Sequence, residues 1–302
     1  MPEYAKSFQE VPVQRFLWIF LALILPSCVT SQPADKLSSV MSPEQQMSLL
    51  NADVILLGEQ HDNPHHHALQ KEVLDLLGQR SELGSVVFEQ VHWDQQSVLN
   101  ALNNRSLGEL AKDLNWASSG WPDYNFYEPL FMAATRYKAQ LIAGNIAPQK
   151  SKAIYQQGYP AIFTPEEQKK LGLDQTFEPK AEAALEEEIF VGHCRLLPKD
   201  HVKTMVPVQR TRDAAMALAW SRLHKKGKTA FIVGSGHARK DFGIPWYLER
   251  LKPGIKIYSV GMNETGAETD AGVFDQVITT EAAEREDPCA GLKEKFSKPA
   301  KG

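Results

Sequence analysis

The sequence predicts an α/β fold: a parallel-rich central sheet flanked by helices, with a helical insertion subdomain. Three observations carry that expectation. Short apolar runs recur along the chain and stop abruptly at a glycine or a polar residue, as strands buried on both faces do. Segments with apolar residues at helical spacing separate them, so that strand, helix and strand form βαβ units. Polar side chains also gather where the runs stop, and open α/β sheets place their sites at the carboxyl ends of their strands.

The first run is Val54-Ile55-Leu56-Leu57, closed by Gly58-Glu59-Gln60-His61-Asp62. A helix is expected from His66 to about Gln79, because Ala68, Leu69, Val73, Leu76 and Leu77 recur at its spacing. His65, His66 and His67 stand at its head. Neighbours on a helix point about 100° apart, so one of the three is expected on the crevice and the others at the surface. Gly84 to Phe88 reads as the second strand, with Glu89 at its end, and Gln95 to Asn104 as a helix. The stretch from Trp116 to Tyr127 is dense in aromatics and punctuated by Gly120 and Pro122. It reads either as a loop anchored by its own rings or as the apolar wall of a pocket for a flat ligand. Glu128 to Lys138 is expected as helix and Gln140 to Asn145 as the third strand.

From Pro148 to about Leu197 the βαβ rhythm stops and Lys and Glu dominate. A capped start at Thr164 and a helix from Ala181 to Phe190 mark an insertion at about 148–200, placed as a lid over the strand ends. Pro207 then opens a long helix to about Lys225, with Gln209, Arg212 and Asp213 in its first turns, aimed at the crevice. Thr229 to Val233 is the fourth strand, followed by Gly234-Ser235-Gly236-His237. A helix at Ile244–Leu251 and strands at 256–260 and 274–278 complete the pattern.

Before all this, Arg15 precedes an apolar run from Phe16 to Leu25 that is too short to span a bilayer and suits an export signal. It ends in Leu25-Pro26-Ser27-Cys28, which resembles the lipobox of bacterial lipoproteins. That resemblance implies cleavage before Cys28 and lipidation of that cysteine, hence a bilayer anchor. Val29 in the next position implies an outer membrane, with the protein facing the periplasm. The chain therefore divides into a signal peptide at 1–27, a tether at 28–43, the α/β domain at 44–285 and a loose tail at 286–302. Of the other two cysteines, Cys194 is expected buried and Cys289 in the tail. One or both are expected as free thiols, with a pair between them as the alternative.

An apolar share of 43% supports a real core and excludes global disorder. A net charge of -4 argues against a broad nucleic-acid surface. Glu59, His61, Glu89 and His237 arrive from three strand ends. Two imidazoles and two carboxylates can bind a divalent metal, or can serve as a base with its orienting acid in a metal-assisted hydrolase. Gly58, Gly234 and Gly236 beside them allow close backbone approach.

The ordered set Leu57-Gly58-Glu59-Gln60-His61-Asp62, Phe88-Glu89, Trp121-Pro122, Tyr127-Glu128-Pro129-Leu130, Gly144-Asn145, Gln209 with Arg212-Asp213-Ala214, and Gly234-Ser235-Gly236-His237-Ala238 resembles the ChaN-like haem-binding lipoproteins. They belong to a wider group with the TraB and Tiki proteins and the erythromycin esterases. The resemblance covers about residues 45 to 280. It implies haem as cofactor, a role in haem or iron acquisition or handling, and a homodimer that sandwiches two haems face to face. It also implies a tyrosine as axial ligand, for which Tyr124, Tyr127, Tyr155 and Tyr159 are the local candidates, with Trp121 against the ring and Arg212 for a propionate. A binding protein is expected rather than an enzyme. The hydrolytic members of the wider group supply the alternative: Glu59, His61, Glu89 and His237 match their strand-end pattern, but one residue separates Glu59 from His61 where the esterases place two.

Overall fold

Six strands form one sheet in the order β3-β2-β4-β1-β5-β6, and every neighbouring pair is parallel. The computed structural model describes residues 36–102, 107–267, 269–287, 289–290 and 293–294. The expected signal peptide, Cys28 and the first part of the expected tether lie outside them. The strands are β1 (Val54–Glu59), β2 (Leu83–His92), β3 (Gln140–Asn145), β4 (Lys228–Gly234), β5 (Ile257–Glu264) and β6 (Gln276–Thr280). The helices are α1 (Lys36–Val40), α2 (Pro43–Asn51), α3 (Pro64–Gln79), α4 (Gln96–Asn100), α5 (Leu107–Asp113), α6 (Tyr124–Arg136), α7 (Ser151–Gln157), α8 (Pro165–Lys170), α9 (Pro179–Gly192), α10 (Lys199–Leu223), α11 (Ser235–Ala238) and α12 (Ile244–Leu251).

From β1 the chain steps outward through α3 to β2 and through α6 to β3. It returns across the opposite face through α10 to β4 and α12 to β5. Connections from β1 and β4 thus leave in opposite directions, and the crevice opens at the carboxyl ends of these two neighbours. Strand alternation decides what enters it. Ile55, Leu57, Val86 and Phe88 pack with α3 and α6, whereas Val54, Leu56 and Val87 pack with α10 and α12. Glu59 continues the phase of Leu57 and Glu89 that of Val87, so the two carboxylates reach the rim from opposite faces of the sheet.

Several boundaries differ from the sequence pattern, each for a local reason. α3 begins at Pro64 because Asn63 caps it, its side chain accepting from the His65 N–H at 2.8 Å. β2 runs on to His92, since its pairing with β3 resumes at His92 and Asn145 after a register shift. α6 starts inside the supposed aromatic loop, capped by Asp123, and carries Pro129 within it. Burial of Tyr127, Leu130, Phe131, Ala133 and Ala134 outweighs the helix bond that Pro129 removes. α10 likewise starts two turns before Pro207, because Val202 and Val206 already face the core. The stretch expected as an insertion is helical, and its last residues, from Lys199, already belong to α10 after a short turn that follows α9.

Both ends of the described chain are tied down more firmly than the sequence indicated. Within the supposed tether, Leu37 and Met41 are buried and the Leu37 N–H donates to Glu72 on α3 at 2.7 Å. In the supposed loose tail, Cys289 forms a disulfide with Cys194, which is half-buried at the end of α9. The free-thiol expectation is therefore corrected: 95 residues separate the two cysteines, and nothing local in the sequence announces their meeting.

Gly58 marks the closest approach of backbone at the site. A Cβ there would lie 2.8 Å from the Ser235 Cα, 2.9 Å from the Ala238 Cβ and 3.0 Å from the Val260 carbonyl oxygen. Gly58→Ala is expected to destabilise the chain by roughly 1–3 kcal/mol through overpacking. Urea unfolding of the two proteins measures the difference.

Candidate functional site

Glu59 is wholly enclosed at the end of β1. Its carboxylate accepts from the Tyr127 hydroxyl at 2.7 Å, the Gln70 amide at 2.6 Å and the Gln90 amide at 3.2 Å. These donors come from α6, α3 and β2, so three elements fix one carboxylate. His61 then places Nδ1 2.8 Å from Glu59, which sets the ring's orientation. The imidazole is 33% exposed to the crevice and meets the Trp121 ring edge-on at 4.8 Å. Its Nε2 edge passes Gly234, 3.0 Å from where a Cβ would stand. A side chain at 234 would displace the histidine.

Glu89 is the second enclosed carboxylate. It accepts from the Gly234 N–H at 2.7 Å, from the Arg212 guanidinium and from His237 Nε2 at 3.1 Å. The other nitrogen of His237 faces Asp213, which stands next to Arg212 on α10. Burial opposes charge on His237, but Glu89 and Asp213 outweigh it and push its pKa up to about 10. Burial likewise opposes charge on Glu89, yet His237, His61 and Arg212 hold it far below the usual carboxylate range. The pKa of His61 is raised as well: burial acts against its charge, and Glu89 and Glu59 overcome it.

This floor is a set of matched charges. His237 donates from both nitrogens, so it keeps no lone pair for a metal or for a proton taken from water. Among the described residues, no group of three or more His, Cys, Asp or Glu side chains is placed to hold a metal ion. Both carboxylates of the expected Glu59, His61, Glu89 and His237 set are already held by fixed donors.

Above the floor lies a crevice of ≈ 740 Å³. Its apolar walls are Trp121, Ile146, Leu185, Ile189, Met205 and Val208, and the imidazoles of His92 and His193 also face it. Trp121 and Arg212 both line the crevice. The four tyrosines are not lining residues. Tyr127 is buried on Glu59, Tyr124 donates to the Leu107 carbonyl at 3.3 Å, and Tyr159 lies under the Arg210 guanidinium. Tyr155 is 58% exposed on α7, one turn beyond Ser151, which does line the crevice. None of the consecutive histidines reaches the crevice. His66 and His67 are buried, His66 accepting from the Gln60 N–H at 2.9 Å and His67 lying 2.9 Å from the His61 carbonyl oxygen, while His65 is exposed. The roles of Gln70, Gln90 and Tyr127 as donors to Glu59 carried no sequence signal, since each sits among ordinary helix or strand positions.

A family model described as haem-binding uptake, Tiki superfamily, ChaN, matches residues 47–248. The chain belongs to this ChaN family. A solved structure described as cofacial heme binding to ChaN of Campylobacter jejuni shares 26% identity and a TM-score of 0.58, over 78% of this chain and 91% of that one. A structure of the type III effector HopBA1 matches at 15% identity and a TM-score of 0.42, over 76% of this chain and 88% of that one. No curated protein matches the chain. Membership of the ChaN family makes this a haem-binding fold.

His237 is expected to stay an imidazolium between about pH 5 and 8, with no titration of its ring signals in a heteronuclear NMR series. Its folded pKa lies above the unfolded value of about 6.5. The stability it contributes is therefore full below that value and is lost as the pH rises through about 10. Urea stabilities of the chain and of His237→Gln should converge over that interval.

Proposed function

We propose that the chain binds haem at the rim of the crevice, as a lipid-anchored envelope protein of haem or iron acquisition that pairs with a second copy when loaded. The family and the Campylobacter relative support haem as the ligand. The residues present suit it. A flat apolar ring calls for apolar walls, and Trp121, Ile146, Leu185 and Met205 provide them. Its propionates call for cations; Arg212 stands on the floor with positive charge, and Glu89 and Glu59 beside His61 raise the pKa of its imidazole. Haem supplies an iron centre that takes a phenolate, imidazole or thioether as axial ligand.

Tyr155 is the observation that carries the reading. Tyr124 and Tyr127 spend their hydroxyls on internal acceptors, and Tyr159 is covered by Arg210. Tyr155 alone of the four presents an exposed ring, on a helix face that leads into the crevice. An exposed phenol is poorly shielded by its own chain, and a second copy bringing its own haem would cover it. The Campylobacter relative's cofacial haems support that pairing.

The envelope location rests on two independent features. The leader and the lipobox-like Leu25-Pro26-Ser27-Cys28 support export and lipidation of Cys28. The Cys194–Cys289 disulfide supports an oxidising compartment, where such bonds persist.

Titration with ferric haem, following the Soret band and the sedimentation mass together, tests the reading. Saturation at about one haem per chain with the mass rising to a dimer is expected. Weak binding that never saturates, with the mass of a monomer throughout, would overturn it.

A further inference from the structure

The disulfide lies one residue from the crevice wall, and so does the other hold on the tail. Cys194 follows His193, and Asp62 follows His61; both histidines line the crevice. Arg285 pairs with Asp62 at 2.7 Å and with Glu264 at 2.7 Å, and the Ala283 N–H donates to Glu264 at 3.1 Å. Four residues later Cys289 is bonded to Cys194. The chain between Arg285 and Cys289 can span about 14 Å at most, so the tail joins two segments that stand on the crevice. Its ion pairs are partly solvated and weak holds by nature. The covalent bond is the strong one.

The corner it grips is itself unusual. Cys194 and Arg195 have φ of 59° and 56°, a left-handed conformation that side-chain-bearing residues rarely adopt. Their N–H groups close back on α9, Cys194 onto the Val191 carbonyl at 2.8 Å and Arg195 onto the Phe190 carbonyl at 2.8 Å. His193 Nδ1 sits 2.7 Å from the Ile189 carbonyl oxygen, which aims the ring. A bond that fixes Cys194 therefore fixes the direction of His193. Both cysteines are half-buried rather than enclosed, and access is one of the factors that set the rate of thiol–disulfide exchange.

We propose that Cys194–Cys289 is a thiol–disulfide exchange site for a dithiol reductant, and that its state sets how firmly the His193 and His61 segments of the crevice rim are held. The reductant's thiolate attacks one sulfur, the Cys194–Cys289 bond breaks and a mixed disulfide forms. The reductant's second thiol displaces the protein sulfur and closes its own disulfide. Two electrons and two protons finish on Cys194 and Cys289. The tail then keeps its ion pairs and hydrogen bonds but no covalent hold, and the α9 corner loses its clamp. The consequence for ligand retention rests on the haem reading above, whereas the clamp does not.

The test uses the full chain with its disulfide intact, exposed to dithiothreitol under native conditions. Thiol alkylation counts the cysteines released, and hydrogen exchange follows segments 60–66 and 189–197. Two thiols appearing together, with exchange rising roughly tenfold in both segments and unchanged in β4, is the expected result. Cys289→Ser should show the same exchange without reductant. Thiols released with no change in exchange, or no thiols released short of denaturation, would overturn the proposal. In parallel, transfer of haem to apomyoglobin should be about tenfold faster from the reduced chain. A chain that takes up no haem in either state sinks the haem reading, while the exchange result still decides the clamp.

Discussion

Glu89 is a carboxylate with no access to water, and most of the site is arranged to keep it charged. Burying an unpaired carboxylate costs several kcal/mol, so donors have to come from every side. β4 supplies the Gly234 N–H, α10 supplies Arg212, and α11 supplies His237. The last donor is itself charged and needs a second carboxylate, which Asp213 provides. Each requirement fixes an element. Gly234 must lack a side chain so that β4 can approach both Glu89 and His61. α10 must run long enough to bring Arg212 and Asp213 together over the strand ends. Removing either partner of this network would leave a buried charge unmatched, which is why the cluster is better understood as a frame than as a set of free ligands.

That frame divides the labour of the site. The floor is rigid, balanced in charge and short of free lone pairs, so it suits positioning and the reception of an anionic group. Much of the apolar wall above it comes from the insertion and from α10, through Leu185, Ile189, Met205 and Val208. The rim beyond them carries the exposed Tyr155, where the proposal above places ligation. The disulfide and the docked tail belong to the same rim.

Much of the fold was legible in the chain because its signals are local. Each of the six strands announces itself as an apolar run ended by Gly or a polar residue, and Thr164 marks a helix start that the structure keeps. Glu59, His61, Glu89 and His237 were recognisable for the same reason: each stands at or just beyond the end of such a run. What the sequence hid depends on distant partners. Pro207 and Pro129 look like boundaries, but tertiary burial of Val202, Val206 and Tyr127 carries the helices through them. His66 and His67 look like surface or ligand residues, and the loop that ends β1 draws them inward as hydrogen-bond partners. Cys194 and Cys289 are far apart in sequence, so their bond could only be seen in space. Tyr127 was a haem-ligand candidate by its neighbourhood, and only the phase of α6 shows that it serves Glu59 instead.

The central claim is that haem is ligated at the rim, by Tyr155, and not by the enclosed cluster. Resonance Raman spectroscopy of the ferric complex tests it most directly, comparing the chain with Tyr155→Phe and with Tyr124→Phe. The account predicts tyrosinate-to-iron modes in the chain and in Tyr124→Phe, and their loss in Tyr155→Phe. Tyrosinate modes that survive in Tyr155→Phe, or a spectrum that changes only when His61 is replaced, would contradict it.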